Sequence, residues 1–389
     1  MQYKELLTLQ YMPYETKILR SDSQLYKFVS FYGVDGCYIS GSGGVDSTAL
    51  YHFIKSRYPS IPIVCVKALE CKANQKIIEN YYENYIPLVP LKSRVQIIKD
   101  HGYPIGSKLI AKQVYALRHP TEKNKFARHL YDTGIKKDGT EAKRFKLANR
   151  WRKLLVAPFE TSNKCCFYMK EEPLNRYTKE SGRKPIMGII ADEGGQRKEA
   201  YLQTGCNSFE KRGARSWPFG FWTKQDILRY YVENNLPLSE AYGEIIQVQD
   251  NNPKIYHAKE GILYYTTKAE RTGCDICGFG LIDEPRPHRF DRMQREEPET
   301  YEMWVNQMGY GEVLNYIGVS YGDYIWDDQM DKIIIKLFKA GSSKDNLAQK
   351  LYKQRKKANP DKKLDYYLKL VEQIILNDYL LTTCNYITA

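Results

Sequence analysis

The sequence predicts an α/β protein: a parallel sheet flanked by helices, followed by a helical C-terminal appendage. Three observations predict it. Short apolar runs alternate with amphipathic stretches from residue 36 to about 203, the pattern of parallel strands joined by right-handed crossovers. Glycines gather where the first apolar run meets the first amphipathic stretch, in "SGSGGVDST" at 40–48. Beyond Arg289 the period turns helical.

Taken in order, residues 36–41 and "IPIVCV" (61–66) read as buried strands, each followed by an amphipathic helix. "YIPLVPL" (85–91) is a third strand, with helices near 94–101 and over 107–118. The stretch 118–153 breaks the alternation. It holds twelve Lys/Arg against four Asp/Glu, as expected of a mobile basic insertion, a charged arm or a solvated face. A helix over 164–182, a strand at "KPIMGIIAD" (184–192) and a helix near 195–203 resume the pattern. "WTKQDILRYYVENN" (222–235) has Thr223 as its N-cap, and "GILYYTTK" (261–268) reads as an edge strand. Helices are expected near 298–308, 326–339, 344–357 and 361–377. The expected division is an N-terminal extension (1–30), an α/β domain (31–285) with the basic insertion 118–153, and a helical region (286–389).

The chain has 389 residues and a formal charge of +13. A surplus of that size suits polyanionic partners, nucleotides or nucleic acid. No apolar run is long enough to span a bilayer, and the charged opening does not read as a signal peptide. The expectation is a cytoplasmic protein with no membrane partner. Nine cysteines, an odd number, argue against a disulfide framework. Cys37 and Cys65 lie within apolar strands and read as small core residues.

The glycine-rich junction carries the chemistry. The strand ends near Ser40 and the helix begins near Val45. Gly41, Gly43 and Gly44 let peptide N–H groups approach an anion, and the helix N-terminus adds partial positive charge. Ser42 and Ser47 can donate hydroxyls to phosphate oxygens. Asp46 would repel phosphate unless a cation stands between them, which suggests Mg²⁺. The Gly-Lys-Ser/Thr ending of a Walker A loop is missing.

The order Ser42-Gly43-Gly44-Val45-Asp46-Ser47 resembles the SGGxDS loop of the PP-loop ATP pyrophosphatase superfamily. Within it, several stretches are similar to the phosphoadenosine phosphosulfate (PAPS) reductase family: "GYPIGSKLIAKQV" (102–114), "ADEGGQRKEAYLQTGCNSF" (191–209) and "PFGFWTKQDILRYYVENNLPLSEAYGE" (218–244). The likeness covers roughly residues 30–320. It implies an adenine-nucleotide α-hydrolase-like, HUP-type sheet and an adenine nucleotide, ATP or PAPS/APS, at the loop. It further implies binding roles for Ser40, Gly41, Ser42, Gly43, Gly44, Asp46, Ser47, Lys112 and Glu193, and catalytic roles for Asp46, Lys108 and Arg197. The cations would neutralise charge growing on a breaking P–O or S–O bond. Adenine would be held by backbone near Lys67, Ala68 and Leu69, although many relatives have an acidic segment where Lys67 stands.

Cys165, Cys166, Cys274 and Cys277 form a CC…CxxC set. Four thiolates hold either zinc or a [4Fe–4S] cluster. The same arrangement occurs in the iron–sulfur branch of the PAPS/APS reductases and is similar to the sulfur-handling subunit of DNA phosphorothioation systems. That resemblance favours [4Fe–4S], with zinc the alternative. Cys206 reads as a packed residue or a thiol beside the site.

Three functions compete. An ATP pyrophosphatase would activate a substrate by adenylation for sulfur transfer, on nucleic acid held by 118–153 and the C-terminal helices, or with a partner protein. It fits the intact loop and the charge. A sulfonucleotide reductase needs a nucleophilic cysteine, carried by family reductases near the C-terminus in a Glu-Cys-Gly context. That motif is missing, and Cys384 is the stand-in. A non-catalytic nucleotide-binding subunit is the third.

Overall fold

The computed structural model describes residues 2–66, 70–210, 213–249, 261–269, 272–274, 276–284, 286–322, 324, 338, 341–355, 363–372 and 374–375. Its strands in chain order are β1 (Cys37–Gly41), β2 (Ile63–Val66), β3 (Ile86–Leu88), β4 (Ile105–Gly106), β5 (Lys184–Met187), β6 (Asn207–Ser208), β7 (Arg215–Ser216), β8 (Ile245–Gln249), β9 (Ile262–Thr266) and β10 (Gly278–Phe279). The main sheet has the order β3-β2-β1-β5-β7-β6. All its neighbours run parallel except β6 and β7. From β1 the chain moves outward through β2 to β3, then returns to β5 on the other flank. The order therefore reverses between β1 and β5, and the carboxyl ends of these two strands open a crevice suited to a ligand.

Contacts divide the chain into two units that interleave along the sequence. The first contains Met1–Pro90 and Lys170–Cys274; the second contains Leu91–Met169 and continues from Asp275. The order-of-chain division expected from the sequence cuts elsewhere, because periodicity marks elements and not which remote elements share a core.

In the first unit the sheet packs under Leu50, Phe53, Phe219, Trp222 and Ile227. The helices Tyr3–Gln10 and Tyr14–Tyr32 belong to this core through Leu6, Leu25 and Phe28. Residues 1–30 are therefore structural, not a mere extension. Lys17, itself buried, reaches Asp226 at 2.7 Å. Asp226 also accepts from the Thr223 backbone at 2.7 Å, closing a capping box at the start of helix Lys224–Glu233.

In the second unit the basic stretch 118–153 is no mobile arm. It contains helix Lys125–Thr133, and Leu147 (0 % exposed) and Trp151 (2 % exposed) enter a core with Leu154, Phe290, Tyr310 and Leu314. Its apolar residues are few but placed to anchor it, while the lysines stay outside. β4 pairs in parallel with β10 in the same unit. A further cluster joins helix Lys344–Arg355 to the helix over 364–372 through Leu347, Leu351, Tyr367 and Val371.

Local differences from the expectation have local causes. The helix at 164–182 holds a π-turn at Phe167–Glu171 just before Pro173, whose ring removes the usual i−4 bond. The strand expected over 184–192 stops at Met187, and Gly188 lies against the Asp46 backbone. The edge strand at 262–266 is half of a hairpin with β8, which alternates too weakly to be read. The helix expected near 326–339 lies outside the described residues, apart from Phe338. No helix among the described residues is long and apolar enough to cross a membrane.

Candidate nucleotide site

β1 ends at Gly41 and the helix Val45–Lys55 begins four residues later, with Gly44 as N-cap. Gly43 has φ +66°, and a Cβ there would run into the Asn74 carbonyl. A Cβ on Gly41 would come 2.7 Å from Ile63 and 2.9 Å from Cys65 and Tyr82. Only glycine fits either position. A Cβ on Gly188, just after β5, would stand 2.6 Å from the Asp46 carbonyl oxygen. The end of β5 is thus pressed onto the loop.

The loop's polar groups are organised by its own serines and by two buried tyrosines. Ser42 Oγ and Ser47 Oγ lie 3.0 Å apart, and Ser47 Oγ donates to the Gly44 carbonyl at 3.0 Å. Gly43 N–H donates to Tyr82 Oη at 3.3 Å, and Val45 N–H to Tyr242 Oη at 3.4 Å. Tyr82 also meets Thr48 Oγ1 at 2.8 Å. Burial, first of all, raises the pKa of Tyr82 and Tyr242, and the Asp46 carboxylate adds to it for Tyr242. Both hydroxyls keep their protons at neutral pH.

Asp46 Oδ1 is buried and accepts no hydrogen bond among the described residues. An orphaned carboxylate oxygen at a helix N-terminus fits a cation better than it fits the protein alone. Asp46 lines a cleft of about 320 Å³ together with Asp192, Glu193, Lys224, Tyr264 and Tyr265. The cleft follows β1 and β5, at the strand-order reversal. Its far wall is fixed by Gln225, whose side chain bonds both backbone groups of Tyr264, at 2.9 and 2.7 Å.

The structure brings several expected residues together. Gly41, Ser42, Gly43, Gly44, Asp46 and Ser47 form the loop, with Ser40 as the last residue of β1 before Gly41. Glu193 lines the cleft, and Arg197 forms an ion pair with it. Lys108 and Lys112, both exposed, start and follow one helix face in Lys108–Arg118, which belongs to the second unit. Lys67, Ala68 and Leu69, expected to hold adenine, lie outside the described residues, as does Cys384. Sequence reading missed Tyr82, Asn74, Gly188, Lys224 and Thr272. Lys224 and Tyr242 stood within the quoted stretch 218–244, which gave neither a role.

The four motif cysteines divide between the units: Cys274 closes the first, while Cys165, Cys166 and Cys277 fall in the second. Tyr310, fully buried, has its pKa raised well above the usual tyrosine value by burial first, then by Cys277 and Cys165. Two motif thiols therefore lie within electrostatic reach of one hydroxyl. Arg289 holds the Cys277 carbonyl at 2.8 Å. Among the described residues no group of three or more His, Cys, Asp or Glu is gathered as a metal site. The donor chemistry, thiols with a guanidinium on the adjoining backbone, suits a thiolate-held anionic centre. Cys206 is settled as a packed residue: it is buried beside Tyr201 Oη at 3.4 Å, and burial pushes its thiol up to about 11.

Residues 110–274 match the family model of the phosphoadenosine phosphosulfate reductase domain, a match that begins downstream of the loop. Among solved structures, the chain is similar to phosphoadenylyl-sulfate (PAPS) reductase from Candida auris in a phosphate complex. Identity is 14 %, coverage 62 % of this chain and 90 % of that one, and the TM-score 0.32. It is also similar to the U34-tRNA thiolase NcsA from Methanococcus maripaludis with its [4Fe-4S] cluster. There identity is 13 %, coverage 80 % and 86 %, and the TM-score 0.29. No match was found among curated proteins.

Proposed function

We propose, from the premise that residues 110–274 belong to the phosphoadenosine phosphosulfate reductase domain family, that the chain is a nucleotide-using enzyme of sulfur chemistry. In this reading it is an ATP pyrophosphatase that adenylates a substrate for sulfur transfer. The observation that carries the reading is the buried, unsatisfied Asp46 Oδ1, set in the glycine loop at the mouth of the cleft.

The roles follow from the geometry. The start of helix Val45–Lys55 would set its partial positive charge against the polyphosphate. Asp46 would hold Mg²⁺, which would supply positive charge against the phosphates. A substrate oxygen attacks the α-phosphorus, the bond to the β-phosphate oxygen breaks, and pyrophosphate leaves with the electron pair. A sulfur nucleophile then displaces AMP from the activated carbon. Arg197, held by Glu193, supplies positive charge for the leaving oxyanion, and Lys108 and Lys112 are assigned the same task. Ser42 and Ser47 orient phosphate oxygens. Cys165, Cys166, Cys274 and Cys277 would hold a [4Fe–4S] cluster, which supplies a site for binding sulfur.

The acceptor assigned here is nucleic acid, and its contact the outer face of 118–153. Lys136 and Lys137 stand on a tight hairpin whose Lys137 ammonium sits 4.6 Å over exposed Phe126. Cations beside an exposed ring suit a phosphodiester chain with unstacked bases. A second reading, sulfonucleotide reduction, draws on the name of the matched domain and needs Cys384 as nucleophile.

The test is anaerobic purification followed by product analysis with MgATP plus RNA or DNA, and with PAPS or APS in parallel. Pyrophosphate release stimulated by nucleic acid is expected, with about four iron atoms per chain. Asp46→Ala should lower that release by about a hundredfold or more. Sulfite release lost in Cys384→Ser would replace this reading with the second. Full activity in Asp46→Ala would overturn the role of the loop.

A further inference from the structure

Thr272 lies two residues before Cys274, in a half-buried position remote in sequence from the loop. Its side chain nevertheless meets the loop's support. Tyr242 Oη lies 2.9 Å from Thr272 Oγ1, and Asn74 Nδ2 donates to the same oxygen at 3.0 Å. Asn74 is 0 % exposed and its carbonyl receives Gly43 so closely that no side chain fits between them. A methyl group built on Gly44 would stand 3.7 Å from Thr272 Oγ1. Tyr242, Asn74 and Thr272 thus form one polar chain around residues 43–45.

The Asn74 amide nitrogen faces both Thr272 and the Glu70 carboxylate, 3.5 Å away. A flipped amide would set oxygen against that carboxylate, so the nitrogen is the donor. Thr272 Oγ1 therefore accepts from Asn74 and shares a hydrogen with Tyr242 Oη, which itself accepts from Val45 N–H. Without this hydroxyl both supports of residues 43–45 lose a common anchor.

We propose that Thr272 is a positioning residue of the nucleotide site, its hydroxyl anchoring Asn74 and Tyr242 against residues 43–45 and so fixing the loop that receives the phosphate. This rests on the loop being the nucleotide site, as proposed above.

The experiment compares wild type, Thr272→Val, Thr272→Ser and Asp46→Ala as full-length chains. MgATP and PAPS are titrated by calorimetry. Thr272→Val, isosteric but without the hydroxyl, should weaken nucleotide about tenfold. Thr272→Ser should stay within about twofold of wild type, which a merely structural loss would not produce. Wild-type affinity in Thr272→Val, with weakened binding in Asp46→Ala, overturns the role of Thr272 alone. Binding of neither nucleotide to wild type, or unaltered binding in Asp46→Ala, overturns the functional reading and this inference together.

Discussion

The glycine loop and the basic stretch 118–153 are both polar segments rich in residues that favour surfaces, yet they are built in opposite ways. The loop, residues 41–47, takes its shape from neighbours in sequence: a strand end, glycines and a helix start. The basic stretch takes its shape from Leu147 and Trp151, two apolar residues whose partners Phe290, Tyr310 and Leu314 come from more than a hundred residues away. The comparison teaches that charge density says little about order. A segment is held by the few side chains it buries, however many lysines it exposes.

That contrast can be broken by mutation. Trp151→Ala should have the largest effect, lowering stability by about 3–5 kcal/mol in denaturant unfolding. A change under about 0.5 kcal/mol, the usual size for a solvated arm, would restore the picture of a mobile insertion. The cap at Thr223 sharpens the local side. Thr223→Ala removes the hydroxyl that accepts from Asp226 N–H at 3.3 Å and should cost about 1 kcal/mol. A loss as large as that of Trp151→Ala would mean the cap acts through the buried Lys17–Asp226 pair and not locally.

The smallest effect is on pH dependence. His288 is buried in the second unit beside Asp291, Arg286 and Glu284. Burial, the largest cause, lowers its pKa below the ordinary histidine value, while Asp291 opposes part of the shift. The unfolded chain therefore takes up the proton first as pH falls. Stability from this residue is complete above the ordinary histidine pKa and declines as pH drops below it. His52 and His101 are shifted the same way by burial. Unfolding midpoints measured from pH 7.5 down to 5 should fall, and less steeply in His288→Gln. An unchanged slope would remove His288 from the account.

Legibility followed the range of the interactions. The parallel strands, the glycine loop and the Thr223 cap depend on residues within a few positions of one another, and all three were readable. So was the burial of Cys37 and Cys65, whose thiols are pushed up to about 12 by desolvation. The support of the loop was not readable, because Asn74 in one helix with Tyr82 as its C-cap, Gly188, Tyr242 and Thr272 reach it from four separate segments. Nor were the π-turns at Phe167–Glu171 and Glu302–Gln307, where one extra residue per turn leaves apolar spacing almost unaltered.

What the sequence determined alone is chemistry of short reach: a glycine turn at a helix start, a carboxylate within it, a set of four cysteines and an excess of cations. Tertiary structure decided which of these meet. It set the cleft at the β1–β5 reversal, paired Glu193 with Arg197, drew the basic stretch into a core and bound Thr272 to Tyr242 and Asn74 beside the loop. The physical reason is that backbone preference is written in neighbouring residues, whereas burial and hydrogen-bond closure are satisfied by whatever the folded chain brings near.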